Sequence, residues 1–212
     1  MIRRMVLAAV GSLAGAFVLD RWLGGLSVDG DGRPIRVPIR TRVEIDAPIT
    51  AVWARLADIE TQPDWMTEMK RVRLSTDGPV GVGTRGEAEV RILGIPVTDP
   101  VEVTEFSAPH RFAIRHEGRF SGAGLLTLDT LDGGRRTRVE WAETLVPPVL
   151  PNLGALVQGP ILQRVFQADL ERLKTLVEAD RGTVPIATDA ADTHPVAPVA
   201  AASNGHGTRS GG

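Results

Sequence analysis

The stretch that decides the fold runs from Asp46 to Trp65 and reads DAPITAVWARLADIETQPDW. Val52, Leu56 and Ile59 recur at the spacing of one helix face, so the middle of the stretch predicts a short amphipathic helix. Pro63 ends that helix, because proline lacks the backbone N–H that a helix needs and its ring crowds the preceding turn. The stretch therefore predicts a helix followed by a sharp corner.

The segments on either side of this helix predict a mostly antiparallel sheet. Between Ile35 and Ile45, apolar side chains alternate with charged or polar ones, which is typical of a strand with one buried face. Six further strands, joined by short turns, are predicted between Met66 and Leu145. A long amphipathic helix is predicted from Pro160 to Gly182. The predicted order is strand, helix, six strands, helix.

Composition limits the partners of the chain. It has 212 residues, with 24 Lys and Arg against 26 Asp and Glu and a net charge of -2. This balance gives no overall field that would attract nucleic acid, so we expect no nucleic-acid partner. Cysteine is absent, which excludes disulfides, thiolate nucleophiles and Cys-ligated metals. We expect neither a metal nor a cofactor.

Residues 1–34 are expected to form an apolar segment followed by a linker. An uncharged run of fifteen residues from Met5 to Leu19 follows Arg3 and Arg4. As a helix it would be roughly 22 Å long, which is marginal for crossing a bilayer. The pattern fits an uncleaved membrane anchor, a cleaved signal peptide, or a helix lying on the domain or on the bilayer surface. We expect a membrane-associated protein with a single N-terminal anchor, on a side of the membrane that the charges do not reveal; secretion after signal cleavage is the alternative.

The rest of the chain divides into a domain and a tail. Residues 35–181 contain the periodic segments and form the predicted ligand-binding domain. Residues 182–212 are rich in Gly, Pro, Ala, Ser and Thr and contain no aromatic residue and no leucine. Such a composition cannot bury enough apolar surface to offset the entropy of ordering, so we predict a disordered tail.

Several local motifs resemble those of one known family. They are DAPITAVW at 46–53, PDW at 63–65, GPVGVGT at 78–84, TRVEW at 137–141 and LERLKTLVE at 170–178. Together they resemble the polyketide cyclase/dehydrase and lipid-transport family of the START-related, helix-grip (SRPBCC) superfamily. The resemblance covers essentially residues 35–181.

The resemblance implies an α+β helix-grip fold, in which a curved antiparallel sheet of about seven strands surrounds one long C-terminal helix. An apolar cavity lies between the sheet and the helix in such proteins. Members of the family include lipid carriers, quinone-binding chaperones and aromatase/cyclases for polyketides. The family has no universal catalytic motif, so the catalytic residues of this chain, if any, stay unknown.

Alternation along the strands predicts which residues line the cavity. His116 falls on the face of Phe112 and Ile114, and Glu143 falls on the face of Trp141. Trp65, in the PDW corner, is expected near the cavity mouth. The complete set of ligand-cavity candidates is Trp65, Val90, Ile92, Phe112, Ile114, His116, Val139, Trp141, Glu143, Leu162 and Phe166.

The polar candidates have several interpretations. His116 and Glu143 could form an ion pair that closes one end of the cavity, or could lie in water if the register breaks. They could instead anchor the polar head of a ligand, or act as an acid/base pair in enolisation and dehydration. Asp99 is a third candidate, but the flanking Pro96 and Pro100 favour an irregular edge where its side chain is exposed. The Pro- and Gly-rich segment 147–160 fits a lid, a lipid-contacting lip or a lead-in to the last helix.

We expect a non-enzymatic protein that binds, carries or chaperones a hydrophobic small molecule such as a lipid, a quinone or a polyketide-like compound. An aromatase/cyclase or dehydratase acting on a polyketide-like substrate is the alternative. A protein-interaction module is the second alternative, because Arg36, Arg40 and Arg42 line the outer face of the first strand.

Overall fold

The computed structural model describes residues 15–25, 36–92, 94–147 and 149–183. Its main element is a sheet of seven antiparallel strands. The strands are β1 (Ile39–Ile45), β2 (Met69–Leu74), β3 (Arg85–Ile92), β4 (Ile95–Ser107), β5 (Arg111–Glu117), β6 (Ser121–Leu131) and β7 (Arg136–Val146). They lie in the order β1-β7-β6-β5-β4-β3-β2, so β2 to β7 pair with their neighbours in sequence and β1 joins on β7.

Within residues 36–183, two α-helices and two short 3-10 helices accompany the sheet, and one of the 3-10 helices is Asp132–Gly134. Helix α1 spans Ile49–Ala57 and leads into the 3-10 helix Ile59–Asp64, whereas the C-terminal helix α2 spans Pro151–Thr183. The predicted order of strand, helix, six strands and helix is confirmed. The α+β helix-grip architecture is confirmed with it, because the antiparallel sheet holds one long C-terminal helix against its concave face.

Strand β7 shows how one face of the sheet becomes the core. Thr137, Val139 and Trp141 are buried, whereas Glu140 between them is exposed, because successive side chains of a strand point to opposite faces. Helix α2 covers this concave face with an apolar stripe at helical spacing. The stripe consists of Leu162, Phe166, Leu170, Leu173 and Val177.

The stretch that decides the fold forms the predicted helix and corner, but α1 ends at Ala57, earlier than predicted, and Ile59 and Pro63 lie in the 3-10 helix that follows. Val52 and Leu56 are fully buried on the inner face of α1, and the Gln62 amide donates a hydrogen bond to the Leu56 carbonyl at 3.1 Å. Trp65 is also fully buried, and its ring meets that of Trp141 edge-on with the centroids 6.2 Å apart. The corner therefore inserts its tryptophan into the core.

Helix α2 begins at Pro151, earlier than the sequence predicts from Pro160. The side chain of Asp20 is buried, and its carboxylate accepts hydrogen bonds from the backbone N–H groups of Asn152 and Leu153, each at 2.8 Å. A carboxylate at this position satisfies free N–H groups of the first turn and interacts favourably with the helix dipole. Most of the Pro- and Gly-rich segment is thus the first part of a helix that is capped from elsewhere in the chain.

The N-terminal segment contacts the domain. Residues 15–25 are helical, and Asp20 joins them to the start of α2. In the described part of the chain, no helix combines the length and the apolar character needed to cross a membrane. The expected spanning anchor is therefore not supported by the described residues, although residues 5–14 of the apolar run lie outside them. The predicted tail lies outside them too, except for its first two residues, which end α2.

Helix α2 also covers the open edge of β1 with glutamine side chains. Gln163 Oε1 accepts a hydrogen bond from the Arg40 N–H at 3.1 Å, and its Nε2 donates to the Arg40 carbonyl. Gln167 repeats both contacts on Arg42, at 3.3 and 3.0 Å. The two carboxamides occupy positions that a further strand would take, so they protect an edge that could otherwise pair with another chain.

Replacing Gln163 and Gln167 together by alanine should lower the free energy of unfolding by roughly 1–3 kcal/mol, because only water then satisfies this part of the β1 edge. Urea denaturation measures the change. Arg164→Ala, at an exposed position of α2 between them, is the matched control and should change stability by no more than about 0.5 kcal/mol. Equal stability of the double variant and the control would show that the edge contacts contribute nothing.

Candidate functional site

The concave face of the sheet and α2 enclose a largely apolar cavity of about 190 Å³. A smaller cavity of about 70 Å³ shares part of its wall, including Phe112, Ile114 and His116. On the second half of α2, Leu170 and Leu173 are fully buried in the main core. The first half of the helix forms one side of the cavity instead.

Most of the residues that the sequence predicts for the cavity wall border this space. Eight of the eleven line the larger cavity, which agrees with the faces assigned from strand alternation and helical spacing. Their contact with a ligand stays a prediction. The eight are Val90, Phe112, Ile114, His116, Trp141, Glu143, Leu162 and Phe166.

Trp65 and Val139 require correction. Neither borders the cavity, and both are fully buried in the main hydrophobic core. Trp65 packs against Trp141, so it supports a wall residue and does not open a mouth. The inward face of β7 is longer than the cavity, and Val139 lies where that face is covered by core side chains. The side chain of Ile92 lies outside the described residues.

Other residues of the wall were not predicted from the sequence. Gln62 and Met66 come from the corner after α1, and Asp169 comes from α2. A signal for Asp169 was available, because it follows Phe166 by three positions and Leu162 by seven on one helix face. The corner residues offered no comparable periodicity, since only the folded chain carries them to the cavity.

Three ionisable side chains meet in the cavity wall. His116 Nδ1 lies 2.5 Å from Asp99 Oδ2, and His116 Nε2 lies 3.3 Å from Glu143 Oε1. The first contact is a hydrogen bond, whereas the second is too poorly aligned for one and is an attraction between charges. The Trp141 indole N–H donates to Glu143 Oε2 at 3.1 Å. The side chains are almost removed from water, with exposed fractions of 9% for Asp99, 13% for His116 and 3% for Glu143.

The register of four strands brings this cluster together. Glu143 of β7 lies opposite Gly124 of β6, which in turn lies opposite Ile114 of β5. His116, two residues beyond Ile114 on the same face, lies opposite Val101 of β4. Asp99 lies two residues from Val101 along β4 and shares its face, so these strand pairings place the three groups side by side.

The position of Asp99 corrects the sequence analysis. Strand β5 pairs with β4 only from Val101 onward, so the part of β4 that holds Pro96 and Pro100 lacks a neighbour on that side. A locally open edge tolerates proline, which explains the two residues. Asp99 is nevertheless only 6% exposed, because its side chain points to the concave face and bonds to His116.

Two glycines make room for the carboxylates. A Cβ atom on Gly124 would collide with Glu143 Oε2, and one on Gly118 would collide with Asp99 Oδ1. The need at these positions is for close approach of a neighbouring side chain, one of the uses of glycine. The two buried acids therefore fit because Gly124 in β6 and Gly118 in the turn before it have no side chains.

His116 is protonated at neutral pH in these surroundings. Burial opposes the charged form, but the hydrogen bond to Asp99 and the adjacent Glu143 carboxylate outweigh burial and raise the pKa of His116 to about 9. Both ring nitrogens then carry a proton, and each faces a carboxylate oxygen. Asp99 Oδ1 and Glu143 Oε1 remain buried without a hydrogen-bond partner. The cluster therefore presents acceptor oxygens, which could receive a hydrogen bond, a positive charge or a proton.

A further carboxyl group borders the same cavity. Asp169 of α2 is buried, and its Oδ1 accepts hydrogen bonds from the Thr67 N–H at 2.9 Å and from the Thr67 hydroxyl at 3.0 Å. Burial raises the pKa of Asp169, although these hydrogen bonds and the charge of Arg172 oppose the change. Asp169 thus ties α2 to the corner. Among the residues described, no group of three or more His, Asp or Glu side chains is arranged to hold a metal ion.

The sequence profile of the family described as polyketide cyclase / dehydrase and lipid transport matches residues 36–178. The matched range contains the whole sheet, α1, all but the last five residues of α2 and every residue of the charged cluster. The chain belongs to this family. No curated protein sequence matches the chain.

Solved structures share the fold at low sequence identity. Zhui aromatase/cyclase from Streptomyces sp. R1128 is 18% identical with a TM-score of 0.59, over 69% of this chain and 96% of that one. A conserved protein from Geobacillus kaustophilus is 14% identical with a TM-score of 0.55, over 68% and 97%. A START superfamily protein from Mycobacterium smegmatis is 17% identical with a TM-score of 0.51, over 68% and 95%. These identities show the fold alone.

The free energy of unfolding should fall as the pH rises from 6.5 through about 9. Folding raises the pKa of His116, so its stabilising contribution is complete below the unfolded value and is lost as the pH rises through the folded value. The complete difference corresponds to about 3 kcal/mol. Urea denaturation at a series of pH values across this range measures it.

The variant His116→Gln should lose this slope, and near neutral pH it should be less stable by about 3 kcal/mol or more because two buried carboxylates lose their counter-charge. His110→Gln is the matched control. His110 lies outside the cavity wall and its Nδ1 contacts the Leu128 carbonyl at 3.1 Å, so this variant should keep the wild-type slope. Identical slopes in wild type and His116→Gln would contradict the assigned charge of the cluster.

Proposed function

We propose that this protein binds a small hydrophobic molecule in the cavity between the sheet and α2, and carries or protects it there. The observation that supports this most is the enclosed apolar space of about 190 Å³ with one polar cluster in its wall. Affinity would come from burying apolar area, at about 25 cal/mol per Å². Orientation would come from the few polar groups of the wall.

The volume of the cavity favours a compact ligand. A dry cavity of about 150 Å³ binds benzene, so a space of about 190 Å³ with a neighbour of about 70 Å³ suits one or two rings. The flat side chains in the wall fit such a ligand, because Trp141 and Phe166 already stack at 4.4 Å between centroids and present ring surface. A lipid, a quinone or a polyketide-like molecule would then enter with its ring or with part of its chain.

A second candidate function is acid/base chemistry on a polyketide-like substrate. It is favoured by the buried His116 cluster and by the likeness of the fold to an aromatase/cyclase. Glu143 Oε1 and Asp99 Oδ1 have free lone pairs that could take a proton from a carbon next to a carbonyl. The imidazolium is less suited to act as the acid, because both of its N–H groups already face carboxylates.

Filling part of the cavity should weaken ligand binding. In Ile114→Trp the larger ring would fill the space beside His116, so the affinity for methylnaphthalene, measured by equilibrium dialysis, should fall about tenfold or more. Arg115→Trp introduces the same ring at an exposed position on the outer face and should bind like the wild type. Circular dichroism checks that both variants fold. An unchanged affinity in a folded Ile114→Trp variant would place the ligand elsewhere.

The catalytic alternative predicts proton removal from a ring-sized ketone. Wild-type protein should accelerate deuterium exchange at the α-carbon of tetralone, followed by NMR in deuterated buffer, and Glu143→Gln should lose the acceleration because its amide is a very weak base. Glu140→Gln, at an exposed position of the same strand, is the control and should exchange like the wild type. Exchange at the buffer rate with wild-type protein, under conditions in which tetralone binds, would leave binding as the function.

A further inference from the structure

The wall of the larger cavity has more acidic than basic side chains. Among the described residues that line the larger cavity are four carboxyl groups and one imidazole, and no lysine or arginine. The acids are Glu68, Asp99, Glu143 and Asp169, and the imidazole belongs to His116. The chain as a whole is nearly neutral, with 24 basic against 26 acidic residues. The acidic wall is therefore a local property of the cavity.

The inner cluster has one basic group and two acids. His116 lies between Asp99 and Glu143, so only one group of the cluster can carry a positive charge. Arg115 and Arg85 do not supply a second positive charge. Arg85 borders the smaller cavity, but the side chains of both arginines are exposed and contact Glu102. A buried negative charge without compensation is unfavourable, so a ligand that brings positive charge gains from it.

The unsatisfied atoms show whether a hydrogen-bond donor or an acceptor is missing. Glu143 Oε1 and Asp99 Oδ1 are acceptors on side chains that are more than nine-tenths buried, and neither has a hydrogen-bond partner. His116 Nε2 lies 3.3 Å from Glu143 Oε1 without the alignment of a hydrogen bond. Buried polar atoms in proteins nearly always find a partner. The missing partner of the two oxygens must be a donor.

The two acids outside the cluster, Asp169 and Glu68, also disfavour an anionic ligand. Asp169 is held by Thr67, and the nearby Arg172 donates its hydrogen bond to the Thr67 hydroxyl at 2.5 Å. Arg172 does not border the cavity. Glu68, which follows Thr67 in the sequence, also borders the cavity. A carboxylate or phosphate head group would meet acceptor oxygens at both places and no lysine or arginine of the described wall.

We infer that the cavity selects an apolar ring that carries a hydrogen-bond donor, best a protonated amine and next an alcohol, and that it rejects anionic head groups. The inference rests on the proposed binding function and specifies its ligand class. A protonated amine beside Asp99 Oδ1 or Glu143 Oε1 would donate a hydrogen bond to that oxygen and add a positive charge to the cluster. An alcohol could satisfy one of them, and a carboxylate could satisfy neither.

The test compares four ligands that share one naphthalene ring: naphthylmethylamine, naphthylmethanol, methylnaphthalene and naphthoic acid. Equilibrium dialysis with the full chain at pH 7 gives the dissociation constants. The amine should bind about tenfold or more tightly than methylnaphthalene, because hydrogen bonds to charged groups are among the stronger ones. The alcohol should lie between them, and naphthoic acid should bind most weakly.

Two substitutions test the origin of the preference. Glu143→Gln removes one negative charge from the cluster and should reduce the ratio of amine to acid affinity about tenfold or more. Asp99→Asn should reduce the same affinity ratio through the other carboxylate. It replaces Glu143→Gln as the test variant if Glu143→Gln does not fold. Glu140→Gln removes a charge from the same strand on the exposed face and should leave the ratio at the wild-type value.

The outcomes separate the ligand class from the binding function. If methylnaphthalene binds but the amine gains nothing over it, or naphthoic acid binds as tightly as the amine, the inference is wrong and the proposed function stands. If none of the four ligands binds, the proposed function fails together with the inference. An amine preference that persists in folded Glu143→Gln and Asp99→Asn would also overturn the inference, because the preference would then arise outside the cluster.

Discussion

The packing of α2 against the concave face of the sheet is the contact on which the rest of the structure depends. An antiparallel sheet with one apolar face needs a second layer to remove that face from water. The second half of α2 provides it with Leu170, Leu173 and Val177, which are buried in the main core. The first half, with Leu162 and Phe166, packs in a smaller cluster with Ile39 and Leu145 and also borders the cavity. One helix therefore completes the core at one end and forms one side of the cavity at the other.

Within that space, the unusual feature is a cluster of ionisable groups in an apolar wall. A purely structural ion pair would be expected to satisfy its polar atoms, because each unsatisfied buried group costs free energy. The cluster around His116 satisfies only some of them, since Asp99 Oδ1 and Glu143 Oε1 lack partners. Gly118 and Gly124 leave the space that these carboxylates occupy.

Membership of the family and likeness to solved structures settle the fold, whereas the argument for function rests on the site. The family description names both polyketide chemistry and lipid transport, so it leaves carriage and catalysis open. The arrangement of protons in the cluster separates them in part. An imidazolium whose two N–H groups face Asp99 and Glu143 is better placed to hold the cluster together than to give up a proton. Binding is therefore the simpler use of the site, and any catalysis would begin at a carboxylate oxygen.

The sequence by itself determined the order of the elements and the face on which most cavity residues lie, including His116 and Glu143. Those properties follow from periods of two and of 3.6 residues, which are local and survive in the linear chain. Only the tertiary structure decided that Asp99 is buried beside His116, that Trp65 packs in the core, and that α2 begins at Pro151 under the carboxylate of Asp20. Each of these depends on contacts between distant parts of the chain, through strand register, the placing of the corner or the docking of the N-terminal segment. Local periodicity carries no information about such contacts, because they form only when the sheet closes around the helix.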